Sequence, residues 1–238
     1  MVTKKYRLTG IVALTSLTGC VPLVQYQQPK TTSDGPCHLD PSGEYSAICE
    51  SDSDHDGIPE QRFYDSSNRL VKELEGDVRT EFTYSSLGNL ERYLIYEKGK
   101  TSIHEFEKDR IKRDLYDADS DGHFEDIFEY DKDGAVTRYL ADQNDDGFPD
   151  TISCSSHEER SIRIKIDVDF NLRFDTFMEY VLDNKGKIVE EWKKIDKSPE
   201  DGKIDLIYGT FYDGEGNVVK ITSDYDGDGV PEDVWYPG

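Results

Sequence analysis

The chain has 238 residues with 51 acidic against 28 basic side chains, a formal charge of −23 at neutral pH. Nucleic-acid affinity rests on lysine and arginine displacing condensed counterions, so charge alone excludes DNA and RNA as partners, and a bare anionic lipid surface would also repel this chain. The 15 Tyr, 10 Phe and 2 Trp argue against a disordered acidic polymer, while a hydrophobic content of 35% promises only a thin core.

Lys4, Lys5 and Arg7 precede a short apolar stretch, Leu8 to Leu17. It is too brief to span about 30 Å of hydrocarbon, so residues 1–19 read as an export leader. The stretch ends at Leu17-Thr18-Gly19-Cys20, which resembles the lipobox of bacterial lipoproteins. That resemblance implies cleavage before Cys20, a diacylglycerol on its thiol and a palmitate-type acyl chain on the new amine. Several chains together make a stable anchor where one is marginal. Val21, rather than an aspartate, follows the cysteine, and the resemblance then implies the outer membrane. Losing residues 1–19 removes three cations and no acid, which takes the charge to −26. Residues 20–36 are polar and aperiodic and read as a flexible tether. Residues 37–50 read as a cap, with Cys37 and Cys49 the favoured disulfide in an exported chain and a pairing of either with Cys154 the alternative.

Residues 51–238 read as one repeat domain. Four clear copies of Asp-x-Asp/Asn-x-Asp-Gly-x-x-Asp/Glu occur: Asp52-Asp54-Asp56-Gly57-Glu60, Asp117-Asp119-Asp121-Gly122-Glu125, Asp142-Asn144-Asp146-Gly147-Asp150 and Asp224-Asp226-Asp228-Gly229-Glu232. Two copies are degenerate. One runs Asp167-Asp169-Asn171 with Leu172 where glycine belongs and then Asp175; the other has Asp196, Asp201 and Asp205 with one residue inserted. Starts at 117, 142, 167, 196 and 224 are 25, 25, 29 and 28 residues apart, a regular array. Between the loops an aromatic strand end meets a tight turn, as in Tyr64-Asp65-Ser66-Ser67-Asn68, Tyr84-Ser85-Ser86-Leu87-Gly88, Tyr130-Asp131-Lys132-Asp133-Gly134 and Tyr212-Asp213-Gly214-Glu215-Gly216. Gly or Asn there supplies the positive φ that hairpin loops need. Alternation such as Ile162, Ile164 and Ile166 against Arg163 and Lys165 predicts strands on both sides. Each period is therefore strand, hairpin turn, strand, acidic loop. From 77 to 116 the strand pattern continues without acidic loops.

Oxygen ligands at alternate residues of a tight loop, with glycine at the sixth to let the chain reverse, suit a hard cation the size of Ca²⁺. The first, third and fifth side chains would ligate, with the carbonyl of the seventh residue (Ile58, His123, Phe148, Val230) and the carboxylate of the ninth. The expected ligands are the acids and Asn144 of the four clear copies, together with Asp196, Asp201 and Asp205 of the inserted one. Mg²⁺ fits less well because it demands a near-ideal octahedron and keeps its waters. An EF-hand would place a bidentate Glu at the twelfth position, yet Phe63, Phe128, Ser153 and Trp235 stand there, and the flanks alternate as strands do. The loops resemble those of thrombospondin type 3 and FG-GAP repeats, and the Tyr-Asp-x-x-Gly hairpins are similar to YD-repeat proteins. The cysteine spacing departs from the first of these families and the period from the second.

A propeller blade needs four strands in about 40 to 50 residues, whereas each period here supplies two. The expected fold is all-β, an antiparallel β-hairpin meander or solenoid with EF-like calcium loops between strands; a small β-propeller is the alternative. No nucleophile elbow, HExxH or Gly-rich phosphate loop occurs, so no catalytic residue is expected. The expected function is a lipid-anchored, calcium-binding structural or interaction module of the bacterial envelope, with a protein or polysaccharide partner. A calcium-dependent hydrolase or carbohydrate-active enzyme is the alternative.

Overall fold

The computed structural model describes residues 36–52, 57, 59–198 and 203–238. The leader, Cys20 and the tether up to residue 35 lie outside the described residues, as do Asp54, Asp56 and Asp201. The described chain forms strands β1 (Cys37–His38), β2 (Ala47–Ser51), β3 (Glu60–Tyr64), β4 (Leu70–Glu75), β5 (Val78–Tyr84), β6 (Leu90–Glu97), β7 (Lys100–Glu107), β8 (Arg110–Asp117) and β9 (Asp126–Tyr130). The second half continues with β10 (Val136–Ala141), β11 (Thr151–Ser156), β12 (Ser161–Ile166), β13 (Thr176–Leu182), β14 (Ile188–Ile195), β15 (Leu206–Tyr212), β16 (Val218–Asp224) and β17 (Asp233–Trp235).

Each strand pairs antiparallel with the next in the chain, and all belong to one sheet. Among the described residues strands contact only their chain neighbours, so the two ends of the sheet do not meet. The expected meander is the fold. The propeller alternative is corrected: both strands of every period extend a single open sheet, and none turns aside to build a blade. Cys37 and Cys49 face each other across β1 and β2 and are joined by a disulfide, while Cys154 is a free, exposed thiol.

A meander sorts its connections by parity. Those that follow even-numbered strands lie at one end of the strands and those that follow odd-numbered strands at the other. Every acidic loop follows an even strand: 52–60 after β2, 117–125 at β8, 142–150 after β10, 167–175 after β12, 196–205 after β14 and 224–232 at β16. All six therefore line one edge. The last five recur every second strand, about 9.6 Å apart at the usual interstrand spacing. The opposite edge carries the five-residue turns. Their fourth residue sits in the left-handed region (Asn68 φ 58°, Gly88 88°, Gly134 83°, Gly186 79°, Gly216 93°), and the register slips by one residue where the turn meets its strand, at Tyr64, Tyr84, Val136, Leu182 and Tyr212.

With no second layer, the strands gain what burial they can from cross-strand rows. One face carries Phe82, Tyr93, His104, Asp114, Phe128 and Tyr139 in direct register. Tyr93 stacks on His104 at 4.3 Å and Phe128 on Tyr139 at 4.7 Å. The buried Asp114 is held by His104 Nδ1 at 2.6 Å and by the Tyr130 hydroxyl, which donates at 2.8 Å. Burial, and then the Asp114 and Tyr116 charges, push the Tyr93 phenol up to about 12. On the other face Arg92, Glu105, Arg113, Glu129, Arg138, Cys154, Arg163 and Glu179 form a row of alternating charge broken by the cysteine. Arg113–Glu105 and Arg163–Glu179 close at 2.9 and 3.0 Å. Leu70, Leu90, Ile103, Leu115 and Ile164 are buried within this single layer, yet among the described residues no large side chain is wholly shielded.

The turn aspartates predict an acid-sensitive edge. The side chain and backbone N–H of Asn217 hold Asp213 below the usual carboxylate range, and the N–H groups of Lys187 and Lys185 do the same for Asp183. In the cap, the Ser42 hydroxyl and the Tyr45 N–H lower Asp40 to about 2. A carboxyl whose pKa falls on folding contributes stability above its unfolded value, here 3.8, and that contribution is lost as pH drops through the folded value. Metal-free melts are expected to fall progressively between about pH 4 and pH 2. The combined Asp183→Asn and Asp213→Asn variant should show a shallower slope; an identical slope would remove the turns from this account.

Candidate metal centres

The acidic loops share one hydrogen-bonded frame. The first aspartate accepts the N–H of the sixth residue: Asp117 from Gly122 at 3.0 Å, Asp142 from Gly147 at 2.8 Å, Asp167 from Leu172 at 2.7 Å, Asp224 from Gly229 at 2.7 Å and Asp52 from Gly57 at 3.2 Å. The ninth accepts the N–H of the second: Glu125 from Ala118 at 2.7 Å, Asp150 from Gln143 at 2.7 Å, Asp175 from Val168 at 2.9 Å and Glu232 from Tyr225 at 2.7 Å. Asp205 keeps the same role in the inserted loop, accepting from Lys197 at 2.6 Å. These bonds turn the carboxylates inward over the chain reversal, the arrangement that a hard cation needs. The first aspartates are buried in every one of these loops from Asp117 onward, Asp196 included.

Reversal requires left-handed backbone twice per loop. The sixth residue has φ 97° at Gly122, 84° at Gly147 and 91° at Gly229, and the fourth has 61° at Ser120, 58° at Asp145 and 73° at Gly227. The loop at 167 adopts the same path with Phe170 at 59° and Leu172 at 71°. A side chain there costs about 1–2 kcal/mol, so the hydrogen-bonded frame outweighs local preference.

Among the described residues four groups of side chains bring their ligand atoms within 4.8 Å of one another and could hold a metal ion. Asp224, Asp226, Asp228 and Glu232 form the fullest, and Asp117, Asp119 and Glu125 form a second. Asp167, Asp169 and Asp175 form a third, in the loop that its missing glycine had marked as degenerate. The retained Asp spacing and the 25-residue period were the signals that could have promoted it. In the loop at 142 the Asn144 amide donates to Asp146 at 3.0 Å, and Asp142, Asp146 and Asp150 belong to none of these groups. Of the first loop, Asp52 and the buried Glu60 are described; of the inserted loop, Asp196 and Asp205 are.

The fourth group crosses between loops. Asp121 and His123 of one loop meet Asp145 of the next, with His123 Nδ1 3.7 Å from Asp121 and 3.9 Å from Asp145. Oδ1 of Asp145 is buried without a hydrogen-bond partner. Loss of solvent, followed by repulsion from Asp121, Asp119 and Glu125, pushes its carboxyl up. A buried oxygen without a partner, set among carboxylates and an imidazole, offers a cation a ready ligand, so the residues present fit a metal ion. Asp145 lies at the fourth position of its own loop, where the repeat pattern assigns no ligand.

No family model and no curated protein matches the chain. Among solved structures, a TarM mutant from S. aureus in complex with Fondaparinux, alpha-GlcNAc-glycerol and UDP is similar at 15% identity and a TM-score of 0.29, over 50% of this chain and 20% of that one. The likeness thus spans a fifth of that protein, and at such a TM-score no argument rests on it.

Proposed function

We propose that this chain is a calcium-binding β-repeat module of the bacterial envelope, held to the membrane by lipid at Cys20, in which bound ions rigidify the loop edge of a thin sheet. The observation that carries the reading is the single inward-facing carboxylate frame repeated from Asp117 to Glu232. The donor set is oxygen, with three or four acids converging per cluster, which favours a hard divalent ion; calcium suits such loops better than magnesium, which demands a near-ideal octahedron and keeps its waters. Asp117, Asp119 and Glu125, Asp167, Asp169 and Asp175, and Asp224, Asp226, Asp228 and Glu232 would hold the ions. A bound ion would supply the positive charge that cancels carboxylate repulsion. Most of these acids accept backbone N–H groups of their own loops, which supports a structural role for the ions.

Calorimetric titration with calcium tests the reading. The chain is expected to bind several ions at about 10⁻⁴ to 10⁻³ M, and Asp224→Asn should lose one of them without altering the far-UV spectrum. Absence of saturable heat, or a stoichiometry untouched by Asp224→Asn together with Asp117→Asn, would sink it.

A further inference from the structure

The acidic edge also carries most of the large exposed apolar side chains of the loops. Phe148 is 56% exposed, Val168 60%, Phe170 44%, Leu172 54%, Tyr225 51% and Val230 64%, all in loops that follow even strands. Among the described connections of the opposite edge Leu39 and Leu87 are comparable, at 81% and 87%. Local structure does not account for Phe170 and Leu172, which stand at left-handed positions where Gly or Asn would fit with less strain. The same loop carries three acids against Arg173, a net charge of −2, so a single divalent ion neutralises it. An apolar tip that is neutral only when loaded can enter an interface that the empty, anionic loop would avoid.

Topology indicates what lies opposite. β2 runs toward the acidic edge, so β1, antiparallel to it, begins there. The Pro36 carbonyl lies beside Glu50, accepting its N–H at 3.5 Å, two residues from Asp52. The tether from Cys20 therefore enters the sheet at the acidic edge, and its 16 residues reach at most about 55 Å. A surface holding Cys20 would lie within that reach of the acidic edge.

We propose that the acidic edge is a calcium-gated docking edge for a phospholipid surface, with Val168, Phe170 and Leu172 entering the headgroup region beside Phe148. This rests on calcium binding as proposed above. A bound ion held by Asp167, Asp169 and Asp175 would neutralise the loop that carries Phe170 and Leu172, while charges farther along the sheet are screened over about 8 Å at physiological salt.

The test uses the full chain carrying Cys20→Ser, so that no lipid at that position supplies binding, and vesicles of phosphatidylcholine with or without phosphatidylglycerol. Co-sedimentation is expected with calcium, strongest on the phosphatidylglycerol vesicles, and reversed by EDTA. The double variant Phe170→Asn and Leu172→Asn, whose side chains are not ligands and whose new residues tolerate positive φ, should bind vesicles about tenfold more weakly or worse with its calcium titration unchanged. Saturable calcium binding without vesicle association overturns the docking edge and leaves the calcium reading standing; no calcium binding overturns both. Calcium-dependent dimers that form in place of vesicle binding assign the tips to a second copy, and undiminished binding by the double variant removes the tips from the interface.

Discussion

Excess EDTA lowers the melting temperature of the purified chain by more than about ten degrees. The size follows from mass action: at about 1 mM calcium, a site with Kd near 0.1 mM adds about 1.4 kcal/mol to the folded state. Four such sites add about 6 kcal/mol, comparable with the whole net stability of many domains. For a chain of this length each kcal/mol shifts the midpoint by roughly 2–4 °C. A single-layer sheet is unusually exposed to this loss, since no large side chain among the described residues is fully shielded and each strand leans only on its neighbours. Differential scanning calorimetry with calcium, magnesium or EDTA checks it; a midpoint within about two degrees of the calcium value in EDTA would contradict it.

Gly227→Ala is expected to destabilise the C-terminal end of the sheet by more than about 2 kcal/mol. Positive φ is only part of the reason, since Ser120, Asp145 and Phe170 occupy the equivalent position in their loops with side chains in place. What distinguishes Gly227 is its neighbour: an added Cβ would overlap the carbonyl of Ile204 in the preceding acidic loop, and both partners are backbone. Relief requires one loop to move, which would break the bonds from the N–H groups of Gly227 and Gly229 to Asp224 at 2.6 and 2.7 Å. Gly214→Ala is the control, because its Cβ would meet open space at an ordinary φ, and it should remain within about 0.5 kcal/mol of the parent chain. Urea titration gives the magnitudes, and hydrogen exchange should show faster opening of β15 to β17 than of β5 to β8. Equal midpoints for the two variants would mean that the loops are not packed in this way.

Much of this was legible beforehand, because it is encoded locally. Ile162, Ile164 and Ile166 alternate with Arg163 and Lys165 at the period of a strand, and Ile164 is buried while both cations are exposed. The aspartates of the loops and turns bond to backbone a few residues away, so their spacing is visible in one dimension. The acids also lie where the repeat puts them: 23 of the 51 fall in the six loops. Residues that act across the sheet were not legible. The His104–Asp114–Tyr130 set joins positions 10 and 16 apart through strand register, and Asp145 acts on the loop before its own.

The amino-acid order by itself therefore determined the strand period, the turn and loop chemistry and the acidic ligands, since each depends on neighbours within about ten residues. Only the tertiary structure decided that the acidic loops share one edge with the exposed apolar tips and the start of β1, because that edge is a consequence of strand parity summed over the whole sheet. It also rescued the loop at Asp167, where hydrogen bonds converging on one buried carboxylate overcome the preference of Leu172 against a left-handed turn. The −23 charge, diffuse when read as composition, is mostly concentrated on a single line of loops at the rim of one open sheet.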